Sequence, residues 1–196
     1  MPRHNDNQPF LEGLEGPKEL IMRHHYTHCF PSGKSQLYLF EEAILVFSIP
    51  ANPCLDRWLG CKTWEFSRLW APDGHKPNLL TQAISYAVKE FKQLKLADAL
   101  ISYADPNVGH CGGIYRAASW VYLGQSEETR AWSDGFNILP RRAFHAGESH
   151  SNKAQIEAQG FVQLKLKGKL RFAKGLTKLG CSAVRSREEK NGRGFR

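Results

Sequence analysis

The 196-residue sequence has no apolar run long enough to cross a membrane. Its longest, from Ala43 to Ile49, is the length of one buried strand, against the roughly 18–20 residues a spanning helix needs. No Cys-x-x-Cys pair occurs among its five cysteines, Cys29, Cys54, Cys61, Cys111 and Cys181. An odd number at scattered spacing fits neither a disulfide framework nor a zinc ribbon, so the thiols are expected to be reduced. Residues Met1 to Gln8 are polar and lack the apolar stretch of a secretory signal, and a cytoplasmic protein is expected. Acidic residues are scarce where basic ones are dense. Residues 161–196 hold eleven Lys and Arg against two Glu, so the whole formal excess of +8 lies in the last fifth of the chain. A block of this kind selects a polyanion partner, nucleic acid ahead of membrane.

What is present is enough for one core. With 41% hydrophobic residues and five tryptophans the chain can fill a single domain, and 196 residues are too few for two ordinary ones. Residues 1–16 read as a polar lead-in. Pro17 opens a short helix that the pattern carries to about His28, with proline tolerated in the first turn. Gln36–Phe40 and Ala43–Ile49 are β-rich runs joined at Glu41-Glu42, as in a hairpin. Cys61–Trp70 follows as an aromatic-rich strand. Leu80, Ile84, Ala87, Val88 and Phe91 recur at helical spacing, and Ala99–Ala104 is a buried strand ending at Asp105-Pro106. A glycine-rich stretch precedes a helix expected from Ile114 to about Leu123. Phe136–Leu139 is then a strand, Asn152–Gln159 a short helix, and Gln163–Phe172 the last ordered segment. Residues 181–196 are expected to be a basic, disordered tail. The order predicts an α+β (mixed α/β) single domain with a central twisted sheet flanked by helices.

Several residue groups could carry chemistry. His24-His25-Tyr26-Thr27-His28 places imidazoles at metal-binding spacing with a phenol between them; an exposed helix end is the plainer alternative. Asp105 stands where a buried strand ends, a usual place for a functional carboxylate, and equally a place for an Asp-Pro turn. The loop Gly109-His110-Cys111-Gly112-Gly113 before a helix could cradle a phosphate with backbone amides. Arg68, on the aromatic strand, is a candidate charge clamp or a solvated edge residue. Ser32-Gly33-Lys34-Ser35 resembles the end of a P-loop, but His28 stands where the first glycine is required, so it reads as a turn. Leu164–Phe172 alternates apolar and basic residues, interrupted at Gly168. Lys165, Lys167, Lys169 and Arg171, with Lys174 beyond, are expected along a DNA backbone, a solvated sheet face being the alternative.

Taken together, Ile101–Pro106 with Gly109–Trp120, His24–His28 with Pro31–Lys34, Ser67–Trp70, His150–Ala154 and Gly168-Lys169 resemble the pattern of phage proteins of the Mom type. The similarity spans roughly residues 17–175. It implies a GNAT-like acyltransferase fold over residues 17–180. It also implies a DNA modification enzyme that adds a small carbamoylmethyl or acyl-type group to the exocyclic amine of adenine, protecting phage DNA from host restriction. The functional positions it implies are His25, Tyr26, Arg68, Asp105 and Tyr115, with His25, Tyr26 and Asp105 holding iron(II). Gly109, Gly112 and Gly113 would serve acetyl-CoA or another acyl or amino-acid-derived donor. The segment after Arg68, Leu-Trp-Ala-Pro-Asp-Gly, departs from the Q/R-x-x-G-x-G/A loop of ordinary GNAT enzymes. Two other functions fit the same composition: a GNAT N-acyltransferase acting on a protein or small-molecule amine, and a non-catalytic DNA-binding protein.

Overall fold

The computed structural model describes residues 16–135, 138–140, 145–146, 149–150 and 152–192. In chain order the elements are α1 (Pro17–His24), β1 (Ser35–Phe40), β2 (Ala43–Ser48), α2 (Leu55–Leu59), β3 (Thr63–Trp70), α3 (Leu79–Gln93) and β4 (Ala99–Ala104). A single 3-10 turn (Pro106–Val108) leads to α4 (Gly113–Ala117), β5 (Val121–Gln125), β6 (Thr129–Ser133), β7 (Ile138–Pro140), β8 (His145–Ala146) and β9 (Ser149–His150). The chain ends with α5 (Lys153–Ala158), β10 (Val162–Leu166), β11 (Leu170–Gly175) and α6 (Lys178–Gly192). No helix among the described residues is long and apolar enough to cross a membrane.

A mixed α+β architecture follows from how the apolar residues are spaced. Every residue of β2 is buried, so this strand sits inside a sheet that is covered on both faces. The sheet has six strands in the order β1-β2-β3-β4-β11-β5, with β3 and β4 the parallel pair and the other neighbours antiparallel. Between β3 and β4 the chain crosses over through α3. Leu79, Ala83, Ile84, Ala87 and Phe91 of that helix recur at helical spacing and are all buried. They pack on Phe47, Trp64, Phe66, Leu100 and Phe172. Phe91 meets Phe47 at 5.0 Å and Trp64 at 5.2 Å between ring centroids, and burying each such side chain contributes about 1.5–3 kcal/mol. The opposite face carries a smaller core of Leu59, Cys61, Ala99, Leu123, Ala173 and Val184, covered by α2 and α6. The five cysteines are free, as expected.

Four expectations are corrected. The first helix ends at His24, not near His28, because His25 is already extended and His28 takes a left-handed conformation (φ +46°). The expected helix Ile114–Leu123 stops at Ala117. Ser119 turns the chain at φ +58°, and Val121–Gln125 pairs with β11 as a strand. The alternating segment Leu164–Phe172, expected as a strand or hairpin with a basic face, is neither. β10 belongs to a separate three-stranded sheet (β10-β6-β7) and β11 to the main one. The change occurs at Gly168, where the Ser126 carbonyl occupies the place a side chain would take.

The last correction concerns the tail, which is helical through Gly192. Thr177 anchors the start of α6, its N–H and hydroxyl donating to the Asp98 carbonyl (3.2 Å) and carboxylate (2.8 Å). Val184 is buried in the second core. Arg187 donates to the Trp58 carbonyl and lies 4.1 Å from that ring's centroid, and Asn191 donates to the Leu123 carbonyl at 2.6 Å. A terminus tied down at this many points orders despite its charge. The 1–16 lead-in, apart from Gly16, and residues 193–196 lie outside the described residues, as does Phe136 of the expected Phe136–Leu139 strand.

Candidate active site

β3 and β4 pair only from Thr63–Glu65 to Ala99–Ile101. Beyond that point β3 stays with β2, while Ser102–Ala104 stay with β11. The two strands diverge, and backbone groups facing the gap need other partners. Ser102 supplies one. Its hydroxyl donates to the Phe66 carbonyl at 2.7 Å, which uses its only proton, so the Tyr115 phenol donates to Ser102 Oγ at 2.8 Å. The Tyr115 ring stacks on Phe172 at 5.1 Å, and burial pushes its phenol up to about 12. In neutral solution it is a hydrogen-bond donor, not a base.

Asp105 follows the last residue of β4 and is 8% exposed. Its carboxylate accepts from the Asn107 backbone N–H (2.9 Å) and side-chain amide (2.8 Å), and from Lys169 Nζ (3.2 Å). Burial alone would raise its pKa, but the two Asn107 hydrogen bonds and the Lys169 ammonium outweigh it and hold the carboxyl below its usual value. It is an anion at neutral pH.

His25 and Tyr26 reach this place from the loop after α1. The Thr27 backbone N–H donates to His25 Nδ1 at 3.3 Å, and the Thr27 hydroxyl lies 2.8 Å from the same atom. An N–H cannot be turned round, so Nδ1 is the acceptor and the ring proton sits on Nε2. Burial, then the cations Arg68 and Lys169 and the neighbouring His110 and His28, lower the His25 pKa to about 4. Tyr26 packs on His25 at 4.6 Å and meets His110 edge-on at 5.0 Å. The residue remains 37% exposed, while burial and the Asp105 charge raise its pKa against the pull of Arg68.

Arg68 is re-aimed by a bulge. Val46 pairs with Arg68 and Phe47 with Phe66, leaving Ser67 as an extra residue on β3. The Arg68 guanidinium donates to the Cys29 carbonyl (2.9 Å), the Cys29 sulfur (3.2 Å) and the Ser67 carbonyl (2.6 Å). It therefore fastens the His25–Cys29 loop to β3. Four of the five expected functional residues, His25, Tyr26, Asp105 and Arg68, are thereby linked by direct contact or by their mutual charges. Tyr115 joins them through its charge coupling to Tyr26.

Of the expected iron ligands, His25 packs on Tyr26, and the Asp105 charge acts on the Tyr26 phenol. The free nitrogen of His25 carries the proton, and the Asp105 oxygens are taken by Asn107 and Lys169. Among the described residues no group of three or more His, Cys, Asp and Glu could hold a metal. Two of the three glycines have local explanations. Gly109 (φ +82°) closes the 3-10 turn, and a Cβ on Gly112 (φ +77°) would collide with the Phe172 ring. A Cβ on Gly113 would meet only the Cys111 sulfur, at 3.8 Å.

The five expected DNA-contacting cations do not share one face. Lys165 pairs with Glu128, and Lys169 pairs with Asp105. Arg171 lies over Trp58 (4.7 Å) and donates to the Gln125 carbonyl at 2.6 Å. Lys174 donates to the carbonyls of Ala118 (3.3 Å) and Ser119 (3.0 Å). Lys167 is exposed and in no ion pair among the described residues.

Sequence reasoning passed over Asn107, His110 and Glu65. Glu65 stands at the last β3–β4 pair before the strands part, and burial raises its pKa against the charges of Arg68 and Lys169. A carboxylate between Trp64 and Phe66 on an aromatic strand was the available signal.

Comparison with known proteins identifies the family. The sequence pattern of the Mom protein family matches residues 15–188. The protein named "Methylcarbamoylase mom" of Escherichia phage Mu is 33% identical over 130 residues, 60% of this chain and 54% of the relative. The chain thus spans about half the length of the curated relative it matches. With most of the chain matched, including every element that builds the site, this protein belongs to the Mom protein family.

Proposed function

We propose that this chain modifies the exocyclic amine of adenine in DNA, on a GNAT-like fold, by transfer of a small carbamoylmethyl or acyl-type group. The observation that carries the reading is the meeting of Asp105, Lys169, Tyr26 and His110 where β3 and β4 part, in a chain of the Mom family. The name of the phage Mu relative supplies the kind of group. The donor would be acyl-CoA or another acyl or amino-acid-derived compound, the setting the host cytoplasm, and the benefit protection of phage DNA from restriction.

In duplex DNA the adenine amine is paired, so the base must leave the stack to react. Tyr26, partly exposed, offers it a ring to stack on. The amine is a weak nucleophile because its lone pair is shared with the ring, so positioning and proton removal carry the catalysis. A bond forms from N6 to the donor carbon, the leaving group takes its bonding pair, and N6 releases a proton. Of the two carboxyls, Asp105 is held as an anion by its partners, whereas Glu65 is biased toward taking up a proton. Glu65 is therefore assigned as the proton acceptor. Asp105 positions Lys169 and the following loop, and Arg68 positions the His25–Cys29 loop.

The test is expression in a bacterium, digestion of its DNA to nucleosides, and mass spectrometry. A new adenosine species is expected with the parent chain and is lost with folded Asp105→Ala and Glu65→Gln variants. An unaltered nucleoside profile from folded, DNA-binding parent protein would refute the proposal.

A further inference from the structure

We propose that Val108 enters the DNA duplex beside the target adenine and fills the space the base leaves. This rests on the reading above that the adenine is flipped out of the stack.

Val108 is an exposed apolar side chain on the loop that begins at Asp105, with 48% of its surface in solvent. The loop holding it is stiff. Pro106 fixes its own φ, and the Asp105 carbonyl accepts the N–H groups of Val108 (3.2 Å) and His110 (3.0 Å). The Asp105 carboxylate accepts both N–H groups of Asn107. The Asn107 amide then pairs in both directions with the Lys167 backbone, donating to its carbonyl and accepting its N–H, each at 3.0 Å. Gly109 ends the turn in the left-handed conformation. A β-branched side chain on such a support has little rotamer freedom left to lose on insertion.

Its surroundings match a duplex. His110 of the same loop touches Tyr26, the proposed stacking ring, at 5.0 Å. Lys167, bonded to Asn107 through its backbone, presents an ammonium in no ion pair among the described residues, available to a phosphate. An apolar tip on a loop that touches a stacking ring through His110 and a cation-bearing segment through Asn107 suits a side chain that wedges apart base steps while the backbone is gripped. Single exposed valines are common on protein surfaces. What sets Val108 apart is its rigid mounting on the carboxylate of the site itself.

The experiment uses the full chain and DNA duplexes in which 2-aminopurine replaces adenine, covering every combination of flanking bases. Its fluorescence rises when the base leaves the stack. With the parent chain a rise is expected in the recognised contexts. Val108→Ala and Val108→Ser should lower the flipped-to-stacked ratio about tenfold, the value of burying a valine-sized surface. Val108→Leu should retain it. Binding to the same strand without its complement should stay within about twofold of the parent, because no vacancy is filled there. A parent-like rise with Val108→Ala, or an equal loss of single-strand binding, overturns the role of Val108. No rise with the parent chain in any context overturns the base-flipping reading, and this proposal with it.

Discussion

Gly112→Ala isolates what the glycine-rich loop is for. Gly112 sits at φ +77°, and an added Cβ would lie well inside contact distance of Phe172 Cε2 and Cζ, and 3.4 Å from Cδ2. The ring cannot retreat. Phe172 is fully buried, stacked on Tyr115 at 5.1 Å and packed against Tyr122 at 5.4 Å, with Arg116 over it at 5.2 Å. The left-handed backbone costs an alanine about 1–2 kcal/mol, and forcing a methyl into a filled core costs about 1–3 kcal/mol more. A total loss of about 2–5 kcal/mol is expected in urea unfolding at unchanged m, with a thermal midpoint lower by roughly 5–15 °C. The two contributions separate in a double-mutant cycle with Phe172→Leu, which removes the colliding carbons. If the ring is the obstacle, the second substitution costs at least about 1 kcal/mol less in the Gly112→Ala background than in the parent. A Gly112→Ala chain within about 0.5 kcal/mol of the parent would refute the packing explanation and return this glycine to a ligand-binding role.

Further outcomes concern the charges of the site. Lys169→Met removes the ammonium 3.2 Å from Asp105 and is expected to cost about 1 kcal/mol at neutral pH, Lys169 being half exposed. Because the folded-state pKa of Asp105 is depressed, its stabilisation is present above the unfolded value and lost as pH falls through the folded one. The parent–variant gap should therefore close in acid, and NMR titration should find Asp105 less acidic in the variant. An Asp105 titration that Lys169→Met leaves unmoved would show the pair to be inert. His25 has a folded value lowered from 6.5 to about 4, so the stability tied to its neutral form is complete above 6.5 and falls as pH drops toward 4. The loss is on the order of 3 kcal/mol, and His25→Gln should remove this segment of the acid-unfolding curve. If the variant loses stability between pH 6.5 and 4 as steeply as the parent, His25 is not buried neutral.

The parts of the fold that sequence exposes are those where a single local rule decides. The spacing of Leu80, Ile84, Ala87 and Phe91 identifies α3, and the runs Gln36–Phe40 and Ala43–Ile49 around Glu41-Glu42 identify the first hairpin. Errors arose where a distant partner decides. Val121–Gln125 has no strong strand pattern and becomes a strand because β11 offers it an edge. Residues 181–192 have the composition of a solvated tail and are helical because Trp58 and Leu123, far off in sequence, hold them, with Asp98 anchoring the helix start at Thr177. The site divides in the same way. Asp105 and the His25-Tyr26 pair stand out in the sequence and Tyr115 only through the family resemblance, but the bonds that set the chemistry of Asp105, His25 and Tyr115, from Asn107, Lys169, Thr27 and Ser102, are made by the fold. Period two also misled. It is obeyed locally on each side of Gly168, yet the two halves belong to different sheets.

That division bears on how the chain would hold DNA. A cation already paired inside the protein must break that pair to meet a phosphate, so it adds little to the release of counterions that makes DNA binding salt-dependent. Lys174 is spent on the carbonyls of Ala118 and Ser119, and Arg171 on Trp58 and the Gln125 carbonyl. Lys169 neutralises Asp105, and only Lys167 of the five is in no ion pair or side-chain hydrogen bond among the described residues. Each phosphate contact to duplex DNA contributes about 0.9 to the slope of log K against log salt. Lys167→Ala is therefore expected to flatten that slope by about 1 and leave unfolding unchanged. Lys174→Ala should leave the slope alone and cost about 1 kcal/mol of stability, since the two carbonyls beyond α4 lose their donor. Fluorescence anisotropy across a salt series and urea unfolding measure the two quantities on the same preparations. A flattened slope with Lys174→Ala and none with Lys167→Ala would mean that the basic strand opens its internal contacts to bind DNA, and that the cations of β11 carry the interaction after all.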